Sequence, residues 1–139
     1  SVKGHTNAHV AYYIPSTKGL LNPALFCGDT LVGAGCGRLF EGTAEEMHQS
    51  LCRLKELPEN TQIYCAHEYT EDNLHWAMSI YPEDLLIKRR LKNTIEKKQN
   101  GLLTLPSSIA EEKRTNLFMR AKNVEEFGSL RKNKDNWKR

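Results

Sequence analysis

His5, Asp29 and His67 are the residues of this sequence whose types could do hydrolytic chemistry together. Two imidazoles and a carboxylate are donors that suit Zn²⁺, Fe or Mn²⁺. A carboxylate can bridge two ions roughly 3.5–4 Å apart, and a water shared by them then yields a hydroxide nucleophile. The three are separated by 24 and 38 positions, a spacing that does not by itself bring them together. Asp29 follows a short apolar run and Gly28, and it opens a stretch holding Gly33, Gly35, Gly37 and Gly42. Glycine there lets a backbone approach a ligand closely. The same letters also describe a hairpin turn whose Asp bonds its own backbone. His9 reads as a satisfied structural histidine, and His48 and His75, on helical patterns, as surface or packing residues. Glu68 is evenly balanced between orienting a ligand histidine and being a plain surface acid. Cys36 could act as a nucleophile only beside a group that stabilises its thiolate, which the sequence does not reveal.

Around these residues the chain is modest in means. Its 139 residues and 39% apolar content fit one ordinary domain, or one and a half small ones, with a limited core. No apolar run approaches the roughly 20 residues needed to cross a bilayer, and no signal-peptide pattern opens the chain. The expectation is a soluble, cytoplasmic (or mitochondrial) protein with no membrane partner. Cys27, Cys36, Cys52 and Cys65 form no C-x-x-C pair and read as free thiols in a reducing compartment. Net charge is +3, unevenly spread: residues 1–69 carry five Lys or Arg against seven Asp or Glu, and residues 70–139 carry fifteen against ten. A basic second half points to an anionic ligand, or to a solvated helical surface.

The elements that must position the candidates follow from pattern. Residues 10–14 (V-A-Y-Y-I), 25–27 and 61–65 (T-Q-I-Y-C) read as strands. Thr43 with Glu46 forms a capping box, and Met47, Leu51 and Leu54 recur behind it at helical spacing, with Leu57 continuing the face. Asp29 and His67 therefore fall at strand ends, where open α/β sheets place their chemistry. Beyond Tyr69 the pattern is helical: residues 70–81, then 84–99 with Ile87, Leu91 and Ile95 as its buried stripe and Lys88, Arg89, Arg90 and Lys92 mostly off it. A second capping box, Ser108 with Glu111, and a last helix over 124–137 with Leu130 and Trp137 inward complete the prediction.

Five blocks in order carry a resemblance: G-H-T-N-A-H-V (4–10), C-G-D-T-L (27–31), G-C-G-R-L-F-E-G-T (35–43), A-H-E-Y-T (66–70) and N-L-F-M-R (116–120). Together they resemble the signature blocks of glyoxalase II, the hydroxyacylglutathione hydrolases of the metallo-β-lactamase fold. The resemblance implies an α+β architecture: the C-terminal half of an αββα sandwich over residues 1–69, then a small all-α glutathione-binding domain over 70–139. It implies two divalent metals, Zn or else Fe or Mn, with His5 and His67 as terminal ligands and Asp29 as the bridge. It further implies hydrolysis of S-D-lactoylglutathione to glutathione and D-lactate by a metal-bound hydroxide. Arg38, Tyr69 and Arg120, with Lys122 in addition, fall where that family binds glutathione. Phe40 stands where some members have tyrosine, Leu117 replaces a usual proline and Ala66 a usual glycine.

The T-H-x-H-x-D-H motif that supplies that family's other ligands is absent from these residues. The expectation is therefore an incomplete metal site, little activity of the 139 residues alone, and an open sheet face covered by a missing N-terminal half or a second copy. A non-catalytic module that binds glutathione or a partner is the competing reading. A sibling thioesterase or persulfide dioxygenase on the same fold is another. Nucleic-acid binding through Lys88, Arg89 and Arg90 lacks the interleaved aromatics that stack bases.

Overall fold

A computed structural model describes all 139 residues. Four short strands, β1 (Tyr12–Ile14), β2 (Ala24–Gly28), β3 (Gln62–Cys65) and β4 (Ser107–Ser108), form one sheet in the order β1-β2-β3-β4. β2 and β3 run parallel, joined by helix α1 (Ala44–Lys55), while β1 and β4 flank them antiparallel. A parallel pair needs such a crossover, and it brings the C-terminal ends of both strands to the same edge. β1 is shorter than the 10–14 run predicts. Pairing starts at Tyr12 opposite Phe26, because the preceding segment is held elsewhere: His9 accepts from Val2 N–H through its carbonyl, and its ring turns toward the end of β2.

The register sets Tyr12, Phe26 and Tyr64 in one row across the sheet, with the Phe26 and Tyr64 rings stacked at 5.1 Å. All three are exposed, so this face is open. Alternation along the strands sends Leu25, Cys27 and Ile63 the other way, into a core shared with Met47, Leu51 and Leu54 of α1. The capping box that starts α1 is complete: Thr43 Oγ1 accepts from Glu46 N–H, and the Glu46 carboxylate accepts from Thr43 N–H. Leu57 lies past the helix end and still packs against the core.

The remaining helices are α2 (Thr70–Ile80), α3 (Leu85–Gln99), α4 (Ile109–Thr115), α5 (Leu117–Arg120) and α6 (Val124–Asn136). They do not form a separate core. Trp76 of α2 stacks on Phe118 of α5 at 5.1 Å, Phe118 meets Phe127 of α6 at 5.4 Å, and all three belong to the cluster that holds Leu25 and Ile63. Helix α3 departs from the expected stripe. Ile87 is buried as predicted, but Arg90 and Thr94 are its buried companions, while Leu91 and Ile95 are only half-buried. The reason is a charge partner. Arg90 Nη2 lies 2.7 Å from Glu112 Oε2, and Arg90 Nη1 donates to Thr115 Oγ1, so the guanidinium turns inward. The second capping box is half formed: Ser108 Oγ accepts from Glu111 N–H, but the Glu111 carboxylate faces Arg90 Nε at 3.4 Å instead of reaching back. On α6, Leu130 is buried, Trp137 is half-buried just past the helix end, and Phe127 is the deeper anchor. No helix is long and apolar enough to cross a membrane.

Candidate active site

Because β2 and β3 are parallel and Gly28 pairs with Cys65, the residues that follow each strand emerge side by side. Asp29 and His67 meet there, with His67 Nδ1 2.6 Å from Asp29 Oδ1. His5 arrives from the N-terminal segment, which backbone bonds fasten to the end of the glycine stretch: Phe40 N–H donates to His5 O and Gly42 N–H to Gly4 O. Its Nε2 lies 3.7 Å from Asp29 Oδ2. The Asp29 carboxylate thus sits between two imidazoles with one oxygen toward each. His5 Nδ1 is 2.8 Å from the Arg38 carbonyl, which only accepts, so Nδ1 carries a proton and a metal-ligating tautomer would present Nε2 toward the carboxylate. The 3.7 Å between His5 Nε2 and Asp29 Oδ2 leaves room for a shared cation, and a backbone carbonyl behind the imidazole is how ligating histidines are commonly oriented.

That donor chemistry fits one wall of a metal centre. It does not make a closed cage: no group of three or more His, Cys, Asp or Glu side chains is arranged to hold an ion, and structural zinc sites take four donors. His9 is occupied elsewhere, its Nε2 accepting from Asp29 N–H at 3.2 Å and lying 3.3 Å from Cys27 O, which agrees with a structural role. Two glycines make this packing possible. Gly28 takes a φ of +55°, and a Cβ there would run into His9 Nε2; a Cβ on Gly37 would meet the Asp29 carbonyl and His5 Nδ1. Glu68 accepts from both N–H and Oγ1 of Thr70 and so fastens the start of α2 rather than orienting His67.

The three donors face a cavity of about 490 Å³, whose walls include Arg38, Tyr69, Arg131 and Lys134. Tyr69 stacks on His67 with ring centres 5.5 Å apart, and Phe40 leans on His5 at 5.0 Å. Arg131 is buried, donates to Cys36 O at 2.7 Å, pairs with Asp135 at 2.8 Å and lies over the Phe118 ring at 5.0 Å. Burial, and then the neighbouring Arg131 and Arg38 cations, hold the Lys134 ammonium below its usual range. Three cations crowded on one wall are suited to an anionic ligand. Burial pushes the Cys36 thiol up to about 11 against the opposing pull of Arg131, so it stays protonated and is no nucleophile. All four cysteines are free. A larger groove of about 730 Å³ runs along α3 between Leu85 and Glu96, but it holds neither imidazole nor thiol.

Of the residues matched to glutathione binding, Arg38 and Tyr69 reach this cavity and Arg120 and Lys122 do not. Arg120 Nη1 is taken by Asp84 at 2.8 Å, its guanidinium lies over Tyr81 at 5.9 Å, and both cations line a smaller cleft beside Leu117 and Glu126. Arg131 and Lys134 were not singled out from the sequence. They sit one turn apart on one face of α6, but residues 131–139 hold five Lys or Arg and nothing local selects two of them.

The family profile described as "Hydroxyacylglutathione hydrolase C-terminus" matches residues 68–137. Over 137 residues, 98% of this chain, the sequence is 64% identical to a hydroxyacylglutathione hydrolase of Prochlorococcus marinus strain MIT 9211, of which it covers 54%. It is 55% identical to one from Synechococcus sp. strain WH7803, again covering 54% of that protein. The chain spans about half the length of the curated relatives it matches. Among solved structures, it is similar to a metallo-beta-lactamase from Staphylococcus aureus, with a TM-score of 0.61 at 21% identity, over 99% of this chain and 33% of that one. ETHE1 from Myxococcus xanthus superposes with a TM-score of 0.62 at 27% identity, over 99% of this chain and 45% of that one. The small mixed sheet with six helices is thus part of a metallo-β-lactamase fold. With its helical residues matched by that profile and nearly its whole length aligned to those relatives, the chain belongs to the hydroxyacylglutathione hydrolase family.

Proposed function

We propose that these residues supply half of the active site of a thioester hydrolase acting on hydroxyacylglutathiones such as S-D-lactoylglutathione, which releases glutathione and the hydroxy acid. The observation that carries this reading is the Asp29 carboxylate, one oxygen toward His5 and one toward His67, at the floor of a cavity walled by cations. His5, Asp29 and His67 would be among the residues that hold the divalent metals. Such metals, when bound, provide a hydroxide at neutral pH and polarise the thioester carbonyl. The chain's own residues orient the substrate. Lys134 and Arg38 attract the glutathione carboxylates, while Arg131, its guanidinium taken up by Cys36 O and Asp135, fixes the wall behind them. Tyr69, stacked on His67, offers a hydroxyl and a ring edge beside the donors. In this reading residues 1–69 bring the metal-facing strands and residues 70–139 the glutathione-facing helices. Further sheet, as in relatives nearly twice as long, would cover the Tyr12, Phe26 and Tyr64 face.

Three donors fall short of a dinuclear set, so the 139 residues alone are expected to turn over little thioester. The test is hydrolysis of S-D-lactoylglutathione with added Zn²⁺, by this chain and by the product of its complete reading frame. Activity in the longer protein only is expected; a fully active 139-residue chain, or an inactive, metal-free longer protein, would sink the reading. A second reading, a non-catalytic glutathione-binding module, is favoured by one observation: the cationic wall is complete while the donor set is not. Calorimetric binding of glutathione by the metal-free chain, with no turnover in the longer protein, would select it.

A further inference from the structure

Outside the cavity, the most heavily buried charged group of the molecule is Glu112, on α4, with its side chain at 0% exposure. Its Oε2 is paired with Arg90 at 2.7 Å. Its Oε1 accepts from the backbone N–H of Ala34 at 2.8 Å and from Asn116 Nδ2 at 3.1 Å. Ala34 is the one non-glycine residue of the chain with a positive φ, +58°, a conformation that an L-residue disfavours. Within the loop, two backbone bonds between Val32 and Gly35 close the turn around it. The rest of the support comes from the helical half of the chain: Glu112 takes the N–H of Ala34, Asn116 donates to Gly35 O, and Asn73 donates to Gly33 O.

The loop that Glu112 holds at its apex carries Asp29 at its base and meets His5 there. Across its middle, Val32 and Gly35 exchange two backbone bonds of 3.1 and 3.0 Å. At its base Gly37 N–H donates to Asp29 O at 2.8 Å, and the next carbonyl, that of Arg38, orients His5 through Nδ1. A ladder of hydrogen bonds therefore runs from one buried carboxylate to both an Asp and a His of the site. We propose that Glu112, held in place by Arg90, is a positioning residue: by holding Ala34 in the left-handed region it sets the register of the 29–38 loop and hence the placement of Asp29 and His5. It touches neither substrate nor metal. The inference rests on the reading of Asp29 and His5 as ligands, and metal content of the unsubstituted protein tests that reading by itself.

The experiment uses two variants of the protein made from its complete reading frame. Glu112→Gln keeps an acceptor oxygen for Ala34 but loses the charge on Arg90. Arg90→Leu with Glu112→Leu removes the pair together, an exchange that is often neutral or stabilising for a buried ion pair, but it leaves Ala34 unheld. A purely structural Glu112 would be cured by the double substitution; a positioning Glu112 would not. For a folded double variant the expected result is kcat lowered about tenfold with KM changed less than about twofold, the size expected for an outer partner of a ligand. Zinc retained after dialysis against a chelator should fall, and amide exchange at Gly37 should speed up. A folded double variant with parental kcat, zinc retention and Gly37 protection overturns the proposal. So does failure of both variants to fold, which would make Glu112 a residue of the core and nothing more. A parental protein that holds no zinc would instead remove the underlying ligand assignment.

Discussion

Gly37→Ala is the smallest change that should reach the site without touching a candidate ligand. The added Cβ would lie 2.7 Å from His5 Nδ1 and closer still to the Asp29 carbonyl, both outside the range of real contacts. The backbone at Gly37 is not in the left-handed region, so the whole effect is steric. Ordinary contact is about 3.5 Å, so the imidazole and the loop must part by roughly 0.8 Å. Either His5 moves, or residue 37 moves and lengthens the 2.8 Å bonds that tie Gly37 N–H to Asp29 O and the Arg38 carbonyl to His5. Overpacking of this kind costs about 1–3 kcal/mol of stability. The larger effect is on chemistry, since a displacement near 1 Å can lower rate about 10²-fold. The assay is kcat/KM for thioester hydrolysis by the complete protein, beside its melting temperature and zinc content. Gly19→Ala, where a Cβ meets nothing within 4 Å, is the control and should change none of the three. A folded Gly37→Ala protein with kcat/KM within about threefold of the parent would refute the reasoning, because the placement of His5 and Asp29 would then not matter.

Lys134→Met should raise KM for the glutathione thioester about tenfold or more, whereas Arg120→Met, outside the cavity, should leave KM within about twofold; initial rates against substrate concentration decide. Asp84 gives a pH signature. Its burial is outweighed by bonds from Ile87 N–H and Arg120, which hold the carboxyl below its usual range. A depressed carboxylate contributes stability that is present above the unfolded value of about 4 and lost as pH falls through the folded value. Asp84→Asn keeps a helix cap but not the ion pair, so acid melts below about pH 4 should show a shallower loss of stability than the parent.

Much of the scaffold was legible because its signals are local. Thr43 and Glu46 are three residues apart, and their reciprocal bonds depend on little else, so α1 began where the sequence placed it. The strands that end at Gly28 and Cys65 were legible from their short apolar runs, and a parallel register was enough to bring Asp29 and His67 together. The face of α3 was not, because Arg90 turns inward for Glu112, a partner on another helix that periodicity cannot see. β4 was missed as well: Ser107 and Ser108 have no strand pattern and pair only because the edge of β3 is there to receive them. The cations that line the cavity failed for a related reason. Arg131 reaches Cys36 across 95 positions, and no feature of the tail distinguishes it from its basic neighbours.

The same long reach has a consequence for biosynthesis. The loop that carries Asp29 is made before the side chains that hold it, which come from Asn73, Glu112, Asn116 and Arg131. Contacts so remote along a chain close slowly, since their entropy must be spent before the contact repays it. With synthesis running from the N-terminus, the loop lacks its Arg131 contact until α6 is made and docks. Ordering of this loop therefore waits on α6, and a chain halted before residue 131 is expected to leave it without the Arg131 contact to Cys36.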